Sequence, residues 1–312
     1  MSTLRVGMAS IAPASRLETV SACSVCRGHS IEQIDTECNL CRCRECGHVF
    51  DSPRPSRQEI TAFYSRQDKY DSWLRGIAAR DALWKRRLKM VLRHSRPGNL
   101  LDVGAGIGQF LHHAQAHFDQ VAGTEISESA VLIARERYRL ELQRGPIEEL
   151  PLPDGSFDNL TLFHVLEHVP DPAALMRRCH QLLRQDGIVV IAVPNDVLAW
   201  GSGLKKLGKR MGLREFRKFS PVAGIAKAGT SSEIHLSHFT PHALRRLLTN
   251  TGFEIVEEGL DPYYAASGVW KLAHGLYYAL HRVIFKLFRV NRYETIWMIA
   301  RKKADSSRDS WT

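Results

Sequence analysis

Leu100 to Phe110 reads LLDVGAGIGQF. Leu100, Leu101 and Val103 end an apolar strand, and helical spacing of apolar residues resumes at Phe110, Leu111 and Ala114. Between them Gly104, Gly106 and Gly108 form a turn in which the missing Cβ lets a ligand approach the backbone closely. Asp102 brings an acceptor to the carboxyl end of the strand, where open α/β sheets bind ligands. A dinucleotide-binding turn, G-x-G-x-x-G, would need glycine at 109. That residue is Gln109, and the third glycine comes one position early, so the spacing separates this turn from the dinucleotide fingerprint.

Downstream the pattern alternates strand and helix. Residues 121–125 predict a short strand ending in Glu125, seventeen positions past Gly108, where a carboxylate can accept both hydroxyls of a ribose. A helix is expected over 126–139 with Ser127 as its cap, then a third strand over 140–143 and a loop over 145–152. A fourth strand, 159–163, runs into HVLEHVPDP at 164–172, and a fifth covers 187–193.

The pattern D-x-G-x-G-x-G resembles motif I of class I S-adenosylmethionine-dependent methyltransferases. Glycine motif, strand-end acid, PLPDGSFD, HVLEHVPDP and the fifth strand with Pro194-Asn195 together resemble the ubiquinone/menaquinone-biosynthesis-like branch of that class, and HLSHFTPHALRRLL at 235–248 extends the match. The resemblance implies an α/β, Rossmann-like seven-stranded sheet with its last strand antiparallel, residues 253–257 and 295–300 supplying the final two strands. It implies S-adenosylmethionine as cofactor, a ligand with no pyrophosphate for a helix amino terminus to hold. The implied cofactor site is Asp102, Gly104, Ala105, Gly106, Gly108, Glu125, Ile126, Ile147, Glu148 and His164. Two departures stand out. Pro146 replaces the acid common after Gly145, leaving Glu148 or backbone to meet the adenine amino group. His164 stands where ubiquinone-type O-methyltransferases are expected to place an acid that holds a divalent metal with the following Glu and His, which weakens a metal role for Glu167 and His168.

Six of the seven cysteines fall between Cys23 and Cys46. Cys23-x-x-Cys26 and Cys43-x-x-Cys46, sixteen residues apart, match the spacing of a structural Zn2+ site, in which four thiolates stabilise a fold too small for its own core. Cys38 and Cys41 form a further CxxC that could compete for the second pair; Gly47 directly after Cys46 favours the later one.

The chain has 312 residues, 44% hydrophobic and 24% charged, the composition of a globular protein with room for one large domain and a small module. Its segments read as a flexible tail (1–22), a zinc-ribbon-like module (23–56), linker and cap helices (57–96), a methyltransferase domain (97–303) and a tail (304–312). The domain carries a basic insertion or lid at 196–234 and an amphipathic helix at 265–290. The formal charge of +10 is unevenly placed: residues 97–195 hold seven basic and thirteen acidic residues, whereas 196–234 hold eight basic and three acidic. No acid occurs between Asp261 and Glu294, where Leu272, Leu276, Leu280, Ile284 and Leu287 recur at helical spacing beside Lys271, Arg282, Lys286 and Arg289.

Methyl transfer needs alignment and exclusion of water more than dedicated catalytic groups. For a hydroxyl acceptor a histidine base would help, so His164, Glu167, His168 and His238 are the catalytic candidates. The expected function is methyl transfer to a small-molecule, lipid-linked or glycan-linked acceptor, most simply O-methylation. RNA methylation through the zinc ribbon and basic insertion, or cofactor binding without turnover, are the alternatives. With no apolar leader or span, a cytoplasmic location is expected, peripheral on the inner membrane face if 269–290 meets anionic lipid.

Overall fold

The computed structural model describes residues 17–213, 233–262, 264 and 268–303. Residues 1–16 of the tail expected over 1–22, the tail at 304–312 and residues 214–232 of the basic insertion lie outside the described residues.

The chain opens with three antiparallel strands, β1 (Ile31–Asp35), β2 (Leu40–Cys43) and β3 (Val49–Asp51). Helix α1 (Arg57–Tyr64) follows, started by a capping box in which Ser56 accepts from the Glu59 N–H and the Glu59 carboxylate accepts from the Ser56 N–H. The linker and cap helices expected over 57–96 are α1, a 3-10 turn (Gln67–Tyr70), α2 (Asp71–Arg75) and α3 (Ile77–Val91). Then strand and helix alternate: β4 (Asn99–Val103), α4 (Gln109–Ala114), β5 (Gln120–Glu125), α5 (Glu128–Tyr138), β6 (Gln143–Arg144), β7 (Phe157–Phe163), α6 (Pro172–Leu182) and β8 (Leu183–Pro194). The chain continues through α7 (Trp200–Arg210), β9 (Ser237–His238), α8 (Pro241–Asn250), β10 (Phe253–Gly259), α9 (Gly268–Phe288) and β11 (Thr295–Lys302).

Seven strands form one sheet in the order β10-β11-β8-β7-β4-β5-β6, with β11 antiparallel to both its neighbours, as expected. The third strand is shorter and later than predicted. Arg139 ends α5 in a left-handed conformation, Leu140 and Leu142 turn into the core, and only Gln143 and Arg144 reach hydrogen-bonding distance of β5.

Alternating residues of the central strands feed two cores, because successive strand side chains point to opposite faces. Val189, Ile191 and Val193 of β8 join α6 and α8 on one face; Ile188, Val190 and Ala192 join α3, α4 and α5 on the other. With both faces covered, the inner strands can be apolar throughout.

The cysteine-rich segment is continuous with this architecture. β9, which lies after the insertion, pairs with β3 and completes a four-stranded sheet, order β1-β2-β3-β9. Cys23, Val25, Cys43, Cys46 and Phe50 share one apolar cluster with Phe239, Ala243, Leu244 and Leu247. His48 is fully buried in this seam between the rings of Phe50 and Phe239, at centroid distances of 5.7 and 5.1 Å. Burial pushes its imidazole down to about 3, so the ring packs as a neutral group.

Candidate active site and four-cysteine centre

The glycine turn sits at the carboxyl end of β4 with the left-handed backbone its sequence anticipates. Gly104 has φ +69°, and a Cβ there would lie 2.6 Å from Val165 Cγ2. Gly108, at φ +81°, caps α4 where a Cβ would meet Leu140 Cδ1 at 2.8 Å. These two positions demand glycine for different reasons: the first brings the backbone against the loop after β7, the second brings α4 against the end of α5.

Glu125 ends β5 beside this turn. Its Oε2 accepts the Gly106 N–H at 2.8 Å and its Oε1 accepts the Ser127 N–H at 2.9 Å, so one carboxylate ties the turn to the start of α5. Burial raises its pKa against the opposing pull of these donors. Asp102 is placed differently. It lies beneath the turn, 3% exposed, where Oδ1 accepts from the Thr161 hydroxyl at 2.7 Å, and burial pushes it up to about 7.

The raised pKa of Asp102 makes stability depend on pH. Its folded-state pKa lies above the unfolded value, so its contribution is fully present below about pH 3.9 and is lost as pH rises through about 7. Asp102→Asn keeps an acceptor for Thr161 and removes the titration. The stability difference between wild type and variant, followed by thermal melts, is therefore expected to move against the wild type between about pH 4 and 7 and to level off above; a constant difference would mean that Asp102 stays ionised.

The turn opens into a cavity of about 740 Å³, within the range of ligand sites. Of the cofactor residues expected from sequence, Gly104, Gly106, Glu125, Ile126, Ile147, Glu148 and His164 line it. Asp102, Ala105 and Gly108 do not: the first supports the turn from below, and the third serves helix packing. The roof comes from the segment before β4, as Tyr64, Tyr70, Trp73, Arg80, Trp84 and Arg87 all face the cavity. The Arg80 guanidinium stacks 3.8 Å from the Trp73 ring centroid.

The far end of the cavity is a dense array of ionisable groups. Arg87 and Asp261, both buried, form a bidentate pair, with Nε–Oδ1 at 2.8 Å. Burial would raise the Asp261 carboxyl, but the guanidinium overrides it and holds it at about 2. Arg87 Nη2 also lies 3.0 Å from His164 Nε2, so that nitrogen accepts and the Nδ1–H faces Glu167 Oε1 at 3.3 Å. His164 itself has φ +58°, and its N–H donates to the Ala192 carbonyl at the end of the neighbouring strand.

His168 donates from Nδ1 to the Ile234 carbonyl at 2.6 Å, with the Tyr64 hydroxyl 2.8 Å from the same nitrogen. Burial holds this imidazole below its usual range. Glu167 is 1% exposed and lies between the two rings, its Oε1 3.3 Å from His164 Nδ1 and 3.8 Å from His168 Nε2. Asp196, Glu233 and His235 join His164 and His168 on the cavity wall. Burial would lower the His235 imidazole, yet Asp196 and Glu233 reverse this and hold it at about 11, while His235 in turn holds Glu233 at about 2.

His238 is not on the wall. It lies on β9, 3% exposed, and reaches Asp51 of β3 at 3.0 Å. The cavity instead presents His235, three residues earlier, because strand pairing turns His238 toward β3. Sequence reasoning also missed Arg87, Asp196 and Glu233, which only folding brings to one wall, and Asp261, which lies buried behind Arg87; none of them lies in a motif.

The four expected cysteines meet. Cys23, Cys26, Cys43 and Cys46 have sulfurs within 4.8 Å of one another, with Sγ···Sγ distances of 3.6 Å (Cys23–Cys46) and 3.5 Å (Cys26–Cys43). A tetrahedral ion at about 2.3 Å from each sulfur would space them about 3.8 Å apart. The two knuckles repeat one geometry: the Arg27 N–H donates to the Cys23 carbonyl at 2.8 Å, the Gly47 N–H to the Cys43 carbonyl at 2.9 Å, and both donors are left-handed. Cys46 holds the Cys23 thiol down and is itself driven up by Cys23, as neighbouring sulfurs that cannot both carry a charge without a cation between them. The donor set fits structural zinc. Cys38 and Cys41 stand apart, the Cys38 N–H on Asp35 and the Cys41 thiol on the Ser52 carbonyl.

A seven-stranded sheet with this strand order, a glycine turn after its first strand and a strand-end carboxylate beside that turn define a class I S-adenosylmethionine-dependent methyltransferase fold. Residues 73–258 match the family described as "Methyltransferase domain", and the chain belongs to that family. A Mycobacterium tuberculosis protein named "Probable S-adenosylmethionine-dependent methyltransferase" is 34% identical over 119 residues, 36% of this chain and 43% of the relative. The ubiquinone biosynthesis O-methyltransferase of Pseudomonas paraeruginosa is 36% identical over 106 residues, 31% of this chain and 44% of that one. The chain thus spans less than half the length of these relatives. Among solved structures, magnesium protoporphyrin IX methyltransferase from Synechocystis, with bound SAH, shares the fold at a TM-score of 0.52 and 15% identity, covering 80% of this chain and 100% of that one. S-adenosylmethionine is the cofactor of this class.

Proposed function

We propose that the protein transfers a methyl group from S-adenosylmethionine to a hydroxyl of a small acceptor carried on a lipid or lipid-linked glycan. One observation supports the reading above others: a single cavity joins the glycine turn and Glu125 at one end to His164, His168 and His235 at the other. When bound, the cofactor supplies an electrophilic methyl on a sulfonium, which moves by in-line displacement. Glu125 would accept from the ribose hydroxyls, Gly104 and Gly106 would let the ligand lie against backbone, and Ile126, Ile147 and Glu148 would border the adenine. Tyr64, Trp73 and Trp84 would exclude water from above. At the acceptor end His168, held neutral by burial, is suited to receive a proton from a hydroxyl as its oxygen attacks.

Helix α9 supports the lipid part. Its aromatic side faces the protein: the Tyr277 hydroxyl donates to Glu294, the Tyr278 hydroxyl to the Leu260 carbonyl, and His281 is buried. Leu272, Leu276, Leu280, Val283 and Leu287 are 51–69% exposed along the opposite side, flanked by exposed Lys271, Arg282, Lys286 and Arg289. An apolar stripe edged with positive charge suits the surface of an anionic bilayer. No described helix is long and apolar enough to cross a membrane.

Labelled methyl transfer from S-adenosylmethionine is expected to appear in a polar-lipid extract; label entering RNA alone, or cofactor binding without turnover on either, would overturn the acceptor assignment. Leu276→Glu with Leu280→Glu is expected to weaken flotation with phosphatidylglycerol vesicles by at least about 10-fold, at about 1.5–3 kcal/mol per buried leucine, and to leave cofactor affinity unchanged. Unaltered flotation would remove α9 from the membrane contact.

A further inference from the structure

Beside the cavity, where the ribbon meets the methyltransferase sheet, three side chains converge that no methyl-donor function requires. Asp196 Oδ2 lies 3.2 Å from His235 Nδ1 and 3.6 Å from His238 Nδ1, and the three ligand atoms fall within 4.8 Å of one another. Metal bonds of about 2.0–2.2 Å space neighbouring ligand atoms about 3.0–3.5 Å apart, close to the two separations from Asp196. The outer nitrogens of both rings face carboxylates. His238 Nε2 is 3.0 Å from Asp51 Oδ1, and His235 Nε2 is 3.5 Å from Glu233 Oε2. A proton on His238 Nε2, donated to Asp51, leaves a lone pair on Nδ1. That atom, in a side chain 3% exposed, has no hydrogen-bond partner among the described residues and is aimed at Asp196. Carboxylate outside, imidazole between and ligand site inside is the arrangement that orients metal-binding histidines and strengthens them as donors.

The geometry points to a second metal site, distinct from the four-cysteine centre, in which Asp196, His235 and His238 hold a first-row divalent cation such as Zn2+ with open positions toward the cavity. Two imidazoles and one carboxylate suit zinc, iron or manganese better than magnesium or calcium, and three protein ligands leave room for a substrate oxygen. Asp196 and His235 lie on the cavity wall, so the cation would meet the acceptor and lower the pKa of its hydroxyl. This role rests on the methyl-transfer reading; occupancy of the site does not. The ligands come from the start of the insertion and from β9, and the outer carboxylate Asp51 comes from β3 of the ribbon. The site therefore exists only when the four-stranded sheet is assembled.

Metal content of the purified full-length chain, loaded with Zn2+ and dialysed, tests it directly. Two equivalents per chain are expected for the wild type and one for Asp196→Asn and for His238→Gln. Loading with Co2+ separates the centres, since only the four-cysteine site gives thiolate-to-cobalt charge-transfer absorption. That absorption should persist in both variants, which also reports that the ribbon is folded. Asp51→Asn, which removes no ligand, is expected to weaken the second equivalent by about 10–100-fold. One equivalent in the wild type, or two retained in both ligand variants, would overturn the site and show the cluster to be held by protons alone. Glu167→Gln should keep two equivalents; loss of the second there would overturn the ligand set and move the ion to Glu167, His168 and His235. None of these readouts needs cofactor binding or turnover, so they stand apart from the test of methyl transfer.

Discussion

Glu125→Ala is expected to raise the dissociation constant for S-adenosylmethionine by 100-fold or more. A carboxylate that accepts two ribose hydroxyls contributes two charge-assisted hydrogen bonds at about 1.5–3 kcal/mol each, and about 1.4 kcal/mol is a factor of ten in affinity. The same group holds the Gly106 and Ser127 N–H groups, so its removal also loosens the turn against which the ligand would lie. Calorimetric titration gives the affinity, and melting with and without cofactor separates the two effects. Glu125→Gln keeps one oxygen for the backbone donors, so its melting temperature should fall less than that of the alanine variant while its affinity still drops. Unchanged affinity in both variants, with stability lost, would reduce Glu125 to a brace between β5 and the glycine turn.

Removing the four-cysteine centre is expected to cost more stability than any single change in the sheet. Structural zinc contributes about 10–16 kcal/mol in small ribbons, as much as the whole stability of an ordinary domain. Cys23→Ser with Cys43→Ser should lower the melting temperature by at least about 10 °C, since about 2–4 °C accompanies each kcal/mol in a domain of this size. The loss should spread past the ribbon. β3 pairs with β9, and Val25 and Phe50 pack in the same core as Phe239, Ala243 and Leu244, so an unfolded ribbon leaves the α6–α8 face uncovered. Cofactor affinity of the variant, followed by calorimetry at a temperature where the wild type is folded, should fall with it. A ribbon that melts separately while cofactor affinity holds would show that the shared core is not cooperative.

The donor half was legible because its signals are local. LLDVGAGIGQF encodes a strand, a turn and a helix within eleven residues, and left-handed backbone at Gly104 and Gly108 is a property that glycine alone supplies cheaply. Glu125 could be placed because it ends a predicted strand parallel to the first, and the two CxxC pairs because each knuckle folds on itself and needs only a partner at suitable distance. Asp102 shows where local signals stop. It lies at the strand end as predicted, yet the pleat points its side chain under the sheet to Thr161, fifty-nine residues away, instead of toward the cavity.

The acceptor end was illegible for the complementary reason. Arg87, His164 and Asp261 come from a roof helix, a strand end and the loop before α9, and His235 and His238 divide between cavity and ribbon because β9 pairs with β3. Helical spacing within 269–290 announced an amphipathic helix, but it could not tell which side would be covered; the fold turns the half-buried tyrosines and buried His281 toward the protein and leaves the leucines in solvent. By itself, then, the sequence determined the sheet, the methyl-donor turn and the four sulfur ligands, all built from residues near one another in the chain or repeating with a strand or helix period. Only the tertiary structure decided which ionisable groups line the cavity and that the ribbon and the sheet share one core. Those facts depend on contacts between segments up to about two hundred residues apart, which carry no periodicity and close only when β3 meets β9 and the roof helices settle over β4.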